Sequence, residues 1–546
     1  MHSRLLSLIA ISAPLLSAEV SLFPSPGGLA PSPKFSLEIK TSEGWKPSFV
    51  YFNPARVDGL GAQDEPGRSM SWTTFQTDSP TRLRVSRISG SFSKALIRPK
   101  RFGITPEKTK ENSIEFTVEP GQKLSVEFDT DIQASAFTGP PHGVPCVMDS
   151  LLIFADKPSS PTLDFYSSQE VLSLPPGRHS KNRPIKNLPG KNADQVSLKI
   201  LAEKKVVVFE PGVHDLGYWQ VPNNIDHLHF SPGTIVYGAI DVLPDGRSPS
   251  NLDIDKVYRD AWFKESLRKK FTITGSGILC GSKLPWHIKK DFSYSENDDY
   301  WEHIKLLQIA AEEITLKDLT LVDSPYWVLS FINDTDKRSR GQFSNFKMLG
   351  AWTYNNDGLP VPGGTSSVVE NAFIHANDDA FKLYNSNAKV RDCVIWQGPN
   401  GAVFQFGWFA KSVEDVAVSN IDIIHNENWY GVNQAARATI SYADASGDGL
   451  IQNVSFENIH IEGKILRLFG MKAGGGQRIR NFQFNSLYLN GLGAGHLGAP
   501  GKNYFSGKIS GFSFYDFTIG KKTITEPTEA DFEFSNGAGS DFSFSK

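Results

Sequence analysis

The sequence predicts an all-β protein with an N-terminal β-sandwich followed by a parallel β-helix. Two observations carry this prediction. In the N-terminal part, short segments alternate apolar and polar residues between Pro and Gly turns. From Asp318 onward, a polar residue before an apolar-x-apolar end recurs along the chain. Period-two alternation is typical of half-buried strands, and repeats of roughly 20–50 residues are typical of solenoids.

Residues 1–18 have the pattern of a secretory signal peptide. A positive charge at Arg4 precedes an apolar run from Leu5 to Leu16, and the small residues Ser17 and Ala18 follow it. The run is too short to cross a bilayer, and no later apolar stretch is long enough. We therefore expect cleavage near Ala18, an exported protein that is extracellular or periplasmic, and no membrane partner.

Residues 19–192 are predicted to form the β-sandwich domain. Alternating segments such as Lys34–Ile39, Ser113–Val118 and Lys123–Phe128 are separated by turns, as in antiparallel sandwiches. The stretch from Leu174 to Asn192 is rich in proline and basic residues, so we interpret it as a linker. The catalytic β-helix is accordingly predicted over residues 193–546.

The repeat in the second domain has unequal intervals. Its markers are Asp318, Asn345, Asn371, Asp392, Asn420, Asn458, Ser486 and Asp516. The successive differences between their residue numbers are 27, 26, 21, 28, 38, 28 and 30. Because the units lack helical periodicity, a β-helix is favoured over a helical array. Asn and Asp side chains at stacked turns would then hydrogen-bond along the helix axis. A second large sandwich with accidental spacing remains the alternative.

Three aspartates are the candidate catalytic residues. The interval from Asp357 to Asp378 equals the interval from Asn371 to Asp392. If this interval is one coil, the two carboxylates lie on neighbouring strands, about 4.8 Å apart. Asp379 can face the same groove only at a bulge or turn. Crowded carboxylates separate their pKa values, as acid/base cleavage of a glycosidic bond requires. Solvated turn residues are the alternative interpretation.

Polar and aromatic residues flank these aspartates. We expect aromatic rings to stack on sugars, and Lys382 and Gln405 to hydrogen-bond sugar hydroxyl groups. For each aromatic residue, packing in the core is an equally open alternative. The predicted substrate-binding residues are Trp352, His375, Lys382, Tyr384, Trp396, Gln405 and Trp408.

Charge and cysteine content exclude several classes of function. A net charge of −3 gives no electrostatic case for nucleic acid as a partner. Cys146, Cys280 and Cys393 are widely spaced and match neither a zinc site nor a disulfide framework, so we expect buried thiols. We predict no metal and no cofactor, a polysaccharide as the partner, and a monomer.

Several segments resemble glycoside hydrolase family 49, which contains dextranases and isopullulanase. The segments are Leu124–Asp129, Leu151–Ala155, Val206–Val213, Pro232–Ala239, Thr274–Gly281, Phe373–Tyr384 and Val403–Trp408. The resemblance implies a right-handed β-helix and hydrolysis with inversion. It further implies that Asp378 is the general acid, whereas Asp357 and Asp379 activate the attacking water. The arrangement is also similar to that of the family 28 pectin hydrolases.

The resemblance therefore predicts a secreted, endo-acting hydrolase of the dextranase type. The residues beside Asp357 and the loop after it depart from the family, which leaves other substrates open. One alternative keeps the fold and the acid/base residues but acts on another polysaccharide, including a sulfated one. A second alternative is a non-catalytic glycan-binding β-helix. A calcium-dependent lyase is a further alternative, although no basic catalytic residue is evident beside a carboxylate cage.

Overall fold

The computed structural model describes most of the chain in two connected units. The described residues are 19–55, 67–134, 145–159, 163, 166–179, 203–242, 268–284, 304–332, 340–353, 355–408, 410–427, 438–442, 447–493 and 502–546. The predicted signal peptide lies outside these residues. Regular structure in them is almost entirely β, with three short 3-10 helices at Lys100–Phe102, Asp129–Asp131 and Pro527–Ala530. Among them no helix has the length and apolar character to cross a membrane.

The N-terminal unit consists of the first thirteen strands of the described chain. They are β1 (Val20–Leu22), β2 (Phe35–Thr41), β3 (Gly44–Ser48), β4 (Tyr51–Pro54), β5 (Ser69–Thr77), β6 (Thr81–Arg87), β7 (Ala95–Arg98), β8 (Glu107–Lys110), β9 (Ser113–Val118), β10 (Lys123–Phe128), β11 (Ile132–Ala134), β12 (Pro145–Val147) and β13 (Asp149–Asp156).

These strands form a sandwich, as the sequence predicts. One sheet has the order β1-β5-β13-β10-β7 with β4 on β5, the other has the order β3-β2-β6-β9-β8, and β11 and β12 pair separately. The pairing is antiparallel except between β5 and β13. Alternate apolar residues such as Phe35, Leu83 and Val126 point between the sheets and form one buried core. The apolar-polar alternation of the sequence is therefore the alternation of the two sheet faces.

The remaining strands of the described chain form a single stacked sheet. They are β14 (Val171–Leu174), β15 (Gly177–Arg178), β16 (Val206–Phe209), β17 (Gly212–Gln220), β18 (His227–Phe230), β19 (Thr234–Val242), β20 (Arg268–Thr274), β21 (Ile278–Cys280), β22 (Leu307–Lys317), β23 (Thr320–Val322), β24 (Leu329–Ile332), β25 (Arg340–Ser344), β26 (Lys347–Leu349), β27 (Leu359–Pro360), β28 (Val368–Glu370), β29 (Phe373–Ala376), β30 (Phe381–Lys382), β31 (Lys389–Gln397), β32 (Phe404–Gln405), β33 (Val413–Asn426), β34 (Ile440–Tyr442), β35 (Asp448–Ile465), β36 (Phe469–Leu492), β37 (Asn503–Ile519), β38 (Lys522–Thr523), β39 (Phe532–Ser535) and β40 (Ser543–Ser545).

This sheet is a parallel β-helix, which confirms the predicted fold class. Except for the short β38, each strand pairs in parallel with the corresponding strand of the next coil. Phe373, for example, pairs with Val394, which pairs with Asp422. These two steps equal the intervals between the markers at residues 371, 392 and 420, so the sequence repeat is the coil repeat. Interior positions such as Ile374 and Phe404 form one continuous apolar core.

The repeat markers form the predicted ladder at one corner of the coils. All eight marker residues have a left-handed backbone conformation, with φ between 51° and 71°. Asn and Asp tolerate this conformation best among residues with a side chain. The amide of Asn345 donates to Asp318 at 2.9 Å, and the amide of Asn458 donates to Asn420 at 2.9 Å. The markers therefore recur because the corner requires their backbone conformation and their side chains join successive coils.

The β-helix begins earlier along the chain than the sequence predicts. β14, at Val171–Leu174, pairs with β16, and β15 pairs with β17. These strands belong to the stacked sheet, so the first coil begins before the predicted boundary at residue 193 and overlaps the start of the predicted linker. β14 and β15 are too short to give a recognisable strand pattern, and the sequence after Leu174 is polar and rich in proline. The pairing is therefore not predicted from the sequence. The rest of the predicted linker, residues 180–192, lies outside the described residues.

The sandwich packs against one outer wall of the β-helix. Trp72, Leu152 and Phe154 of the sandwich share an apolar cluster with Phe373 and Trp396 of the coils. Buried ion pairs surround this cluster. Lys347 pairs with Asp156, and the guanidinium of Arg68 makes two hydrogen bonds, of 2.6 and 3.0 Å, to Glu427. The two units therefore form an interface with both apolar and ionic contacts.

The three cysteines are buried in different parts of the structure. Cys280 belongs to the interface cluster, Cys393 lies in the β-helix core, and Cys146 is buried in the sandwich. No disulfide joins any of them. The expectation of buried thiols is confirmed.

Candidate active site

Asp378 and Asp379 lie at a corner of one coil, where the chain leaves β29 and turns toward β30. Residues 377 and 378 form a bend between the two strands. The carboxylate oxygen Oδ1 of Asp378 accepts a hydrogen bond of 2.9 Å from the backbone N–H of Asp379. The bend interrupts strand alternation, so two adjacent side chains can face the same side. The predicted bulge or turn is therefore present.

Asp357 lies on the preceding coil and is separated from β27 by Gly358. The side chain of Asn356 fixes this segment with four hydrogen bonds. It accepts from the backbone N–H and the hydroxyl group of Thr353 and donates to the carbonyl oxygens of Ser324 and Tyr326. All four distances are between 2.8 and 2.9 Å. Asp357 is thereby held in place through its chain neighbour.

The register of the coils differs from the predicted one by a single position. Leu359 pairs with Phe381, and the N–H of Gly358 donates to the carbonyl oxygen of Asp379 at 2.9 Å. This register places Asp357 opposite Asp379 and not opposite Asp378. The physical reason is that the connections between walls differ in length from coil to coil. The interval used in the prediction separates Phe373 from Val394 on one wall, whereas the step from Leu359 to Phe381 on the other wall is longer.

The three carboxylates nevertheless converge as predicted. Asp357, Asp378 and Asp379 each contribute an oxygen that lies within 4.8 Å of the other two. Nζ of Lys382 lies 2.6 Å from Oδ2 of Asp357, and both side chains are at most 7% exposed. Oδ1 of Asp357 is buried and accepts no hydrogen bond. Burial raises the pKa of Asp357 well above its usual range; Lys382 opposes this rise, and the two neighbouring aspartates add to it. Burial and the two neighbouring aspartates therefore oppose ionisation of Asp357, and the ammonium group of Lys382 favours it.

The next coil provides hydrogen bonds to the other two aspartates. Nδ2 of Asn400 lies 2.5 Å from Oδ2 of Asp378. The N–H of Ala402 donates to Oδ1 of Asp379 at 2.9 Å, and Nε1 of Trp408 lies 3.4 Å from Oδ2 of the same residue. Charge-assisted bonds of this kind orient a carboxylate as well as stabilise it. Asp378 and Asp379 are thus fixed in direction by the chain that follows them.

Three predicted substrate-binding residues are instead part of the interface with the sandwich. Trp352 and Trp396 are 3% and 0% exposed and belong to the interface cluster. His375 lies between their rings, with centroid distances of 4.5 and 5.7 Å. Burial and the nearby Arg68 lower the pKa of His375 well below its usual range. These side chains point outward from the coil, but the sandwich covers that outer face.

The other predicted residues lie on the site side of the coils. Lys382 contacts Asp357, so it is an ion-pair partner of a candidate catalytic group. Gln405 is buried, and its Oε1 accepts a hydrogen bond of 2.9 Å from the N–H of Gly407 in the turn before Trp408. Tyr384 is half-buried and carries Nζ of Lys411 at 3.9 Å from its ring centroid. Trp408 is 38% exposed beside Asp379, and is therefore the best placed of the predicted aromatic residues to contact a sugar.

Sequence reasoning missed Asn356, Asn400 and Trp327. Trp327 is half-buried one coil before Asp357, and Nζ of Lys382 lies 3.1 Å from the centroid of its ring. The N–H of Val328 donates to the carbonyl oxygen of Asp357, which fixes this alignment. The run from Pro325 to Trp327 carries no marker of the repeat, so spacing could not place it. Asn400, between Pro399 and Gly401, has the sequence of an ordinary turn.

The carboxylate cluster also has the donor set of a divalent-cation site. Hard cations prefer several carboxylate oxygens within one coordination sphere. In this cluster the ammonium group of Lys382 already lies against Asp357 and supplies a positive charge. The arrangement therefore fits acid/base chemistry among carboxylates with a fixed counter-ion.

Comparisons with known proteins agree with this fold. No protein-family profile matches the chain. The chain is similar to a dextranase of Arthrobacter globiformis, with 25% identity over 80% of this chain and 69% of the relative. It is also similar to the isopullulanase of Aspergillus niger, with 24% identity over 92% of this chain and 88% of the relative. Among solved structures, Dex49A from Penicillium minioluteum superposes with a TM-score of 0.71 at 19% identity, covering 96% of both chains.

The curated relatives are named as glycoside hydrolases, and the matches extend over both the sandwich and the β-helix. The structural match shows that the two-unit fold is shared. The resemblance to the dextranases and isopullulanase of glycoside hydrolase family 49 is thereby confirmed over most of the length of the chain.

Proposed function

We propose that this protein is a secreted glycoside hydrolase that cleaves an α-glucan internally, as a dextranase does, with inversion at the anomeric carbon. The observation that carries the proposal is the convergence of Asp357, Asp378 and Asp379 within 4.8 Å at one corner of two successive coils. The names of the curated relatives, dextranase and isopullulanase, support an α-glucan as the substrate.

The proposed roles follow the resemblance and the contacts of each carboxylate. Asp378 protonates the glycosidic oxygen as the bond to the leaving sugar breaks. Water attacks the anomeric carbon from the opposite face and transfers its proton to Asp357 or Asp379. Oδ1 of Asp357 accepts no hydrogen bond in the structure, so it is available to accept the proton of the water. Lys382 holds the other oxygen of Asp357 and stabilises its ionised form, which is the form that can accept a proton.

Exposed aromatic residues support a polysaccharide as the ligand. Trp408 contacts Asp379, and the half-buried Trp327 is aligned with Asp357 on the coil before it. Successive coils are spaced by about 4.8 Å along the helix axis. A glucan chain that runs along this axis can therefore place one ring near Trp327 and another near Trp408, with the scissile bond between them.

The substrate is tested by a panel of polymers. Purified protein is incubated with dextran, pullulan, starch and a sulfated glycan, and new reducing ends and product lengths are measured. We expect activity on dextran or pullulan and early products of several chain lengths, as internal cleavage gives. Asp378→Asn should lower this activity at least about 10³-fold. Asp392→Asn, which replaces an exposed aspartate of the ladder, should leave it unchanged. Equal activity of the two variants would contradict the role of Asp378. Binding of the polymers without any hydrolysis by the wild type would support a non-catalytic glycan-binding role.

The stereochemical course is tested by a separate measurement. Inverting enzymes usually separate their two carboxyl groups by about 6.5–9.5 Å, and retaining enzymes by about 5–5.5 Å. The 4.8 Å within which the three aspartates converge refers to one oxygen of each residue, and not to the separation of whole carboxyl groups. Proton NMR during the first minutes of hydrolysis distinguishes the anomers of the new reducing end. The β anomer from an α-glucan supports inversion, and the α anomer contradicts it.

A substrate with a good leaving group tests which aspartate is the acid. A glycosyl fluoride needs little protonation for its fluoride to depart. Asp378→Asn should therefore retain much more activity on the fluoride than on the polymer. Asp357→Asn should lose activity on both substrates, since neither is attacked without an activated water. The reverse pattern would exchange the proposed roles of Asp357 and Asp378.

A further inference from the structure

A turn from the next coil encloses the corner that carries Asp378. The N–H of Asn400 donates to the carbonyl oxygen of Asn377 at 2.9 Å. The amide of Gln397 donates to the carbonyl oxygens of Asp378 and Asn400 at 2.8 and 2.7 Å. Hydrogen bonds to the carbonyl oxygens of both Asn377 and Asp378 therefore connect this turn to the corner that carries the proposed acid.

The backbone of this turn packs closely against the corner that carries Asp378. Gly401 has a φ of 63°, and a Cβ atom on it would lie 2.3 Å from the backbone nitrogen of Asp379. Only glycine, which has no Cβ atom, allows two backbones to approach so closely. The backbone of Asn400 is consequently held beside Asp378, and its side chain can change only by rotation about its own bonds.

The two polar atoms of the Asn400 amide differ in their hydrogen bonding. Nδ2 lies 2.5 Å from Oδ2 of Asp378, whereas Oδ1 is buried and has no hydrogen-bond partner. Asn400 as a whole is 2% exposed, so no bulk water reaches this oxygen. An unused acceptor in a buried site costs free energy. The two ends of an amide are similar in size, so a half-turn about the Cβ–Cγ bond places Oδ1 where Nδ2 now lies.

We infer that Asn400 is a positioning residue for the general acid and serves both protonation states of Asp378 by turning its amide over. Nδ2 donates to the carboxylate, and after the half-turn Oδ1 accepts the O–H of the carboxylic acid. The inference rests on the proposed function. Asp378 gives its proton to the glycosidic oxygen as the C–O bond breaks. The attacking water gives a proton to Asp357 or Asp379, which then releases it to solvent, and Asp378 takes up one proton from solvent.

Removal of a positioning residue should lower activity on some substrates only, whereas removal of a residue that merely packs should lower activity on all of them. A positioning residue for the acid matters only when the leaving oxygen needs a proton. Asn400→Ala should lower kcat on dextran about 10–100-fold, within the usual contribution of general acid catalysis, and change KM less than about threefold. On the glycosyl fluoride the same variant should lose less than about fivefold. Equal losses on both substrates would overturn the inference.

The nearly isosteric variant Asn400→Asp gives a second readout that does not depend on a cavity. It places a second carboxyl group 2.5 Å from Oδ2 of Asp378, and two such groups hold one proton between them. The basic limb of the kcat profile on dextran should therefore move to higher pH by at least about one unit. An unmoved basic limb would overturn the inference.

A matched control separates positioning from stability. Asn503 is a fully buried amide that accepts from the N–H groups of Leu468 and Phe469 and donates to the carbonyl oxygen of Ala530. Asn503→Ala should lower the thermal midpoint and leave the ratio of dextran to fluoride activity as in the wild type. A changed ratio in this control would show that the ratio reports stability, which would also overturn the inference.

The test distinguishes the inference from the proposed function. Wild-type protein that hydrolyses neither glucans nor the fluoride would contradict the proposed function. The inference then remains testable by infrared titration of buried carboxyl groups with labelled aspartate, because Asn400→Ala should shift one aspartate band. No shift in that titration would overturn the inference independently of activity.

Discussion

The ion pair between Lys382 and Asp357 is expected to set the acid limit of activity. Lys382→Met keeps most of the aliphatic stem but removes the ammonium group 2.6 Å from Oδ2 of Asp357. At that distance the gross Coulomb attraction is about 6 kcal/mol for an effective dielectric constant of about 20. Removing one partner of a buried pair typically costs about 3–5 kcal/mol. The variant can reduce that cost by protonating Asp357, because a neutral carboxyl group needs no partner charge. One pKa unit corresponds to about 1.4 kcal/mol.

The sign of the effect follows from the direction of the pKa shift. Burial already raises the pKa of Asp357, and removal of Lys382 should raise it further, because the ammonium group opposes that rise. A group whose pKa is raised in the folded state stabilises the fold at low pH and loses that contribution as pH rises through the folded pKa. The variant should therefore be closest to the wild type in stability below about pH 4 and most destabilised at neutral and higher pH.

The assay combines activity and unfolding. If Asp357 is a base, it must be ionised, so the acid limb of the kcat/KM profile on dextran should move upward by about two units in Lys382→Met. Lys347→Met is the matched control, because Lys347 and Asp156 form an equally buried pair at the sandwich interface. The control should lose stability without any movement of the acid limb. An acid limb that moves less than about half a unit in Lys382→Met would refute the reasoning.

Three further outcomes test other parts of the structure. Arg68→Met should lower the free energy of unfolding in urea by about 3–5 kcal/mol, since it leaves Glu427 buried without its partner, whereas Arg82→Met at a half-exposed pair should change it by less than about 1 kcal/mol. Trp408→Ala should raise KM on dextran about 5–10-fold with an unchanged thermal midpoint. In contrast, Trp396→Ala should lower the midpoint strongly; a reversed pattern would contradict their assignment. Burial raises the pKa of Asp241 to about 7, so wild-type stability should fall as pH rises from about 4 to 7, and Asp241→Asn should flatten that dependence in urea unfolding.

The sequence carries the coil repeat because the corner imposes a local requirement. Asn345 and Asn420 recur where the backbone is left-handed, and few residue types fit there. The convergence of Asp357 with Asp378 and Asp379 is predictable for the same reason, since it follows from coil length. The predicted register, which places Asp357 opposite Asp378, is wrong by one position because the connections between walls differ in length from coil to coil. The chain from Lys347 to Leu359 is longer than the chain between their partners Phe373 and Phe381 on the next coil.

The roles of the aromatic residues could not be derived from spacing. Trp352, Trp396 and Trp408 all belong to the coils. The alternation of side chains along a strand predicts whether a residue faces the inside or the outside of the coil, but not what covers the outside. The difference between them is that the sandwich covers the first two and not the third. That coverage depends on contacts such as the one between Phe154 and Phe373, which lie in different domains and far apart in the sequence. A local sequence pattern cannot predict a contact between residues so far apart in the sequence.

The placement of the sandwich accounts for the rigidity of the acid corner. β29 leads directly into Asp378, and its interior residues Ile374 and Ala376 are fixed in the β-helix core. Its outward residues Phe373 and His375 are fixed between Phe154 and the two interface tryptophans. Both faces of the strand that delivers the acid are therefore packed. A catalytic group must be held to within roughly 0.5 Å by its supporting residues. The sandwich contributes that support to the candidate catalytic corner from behind the strand.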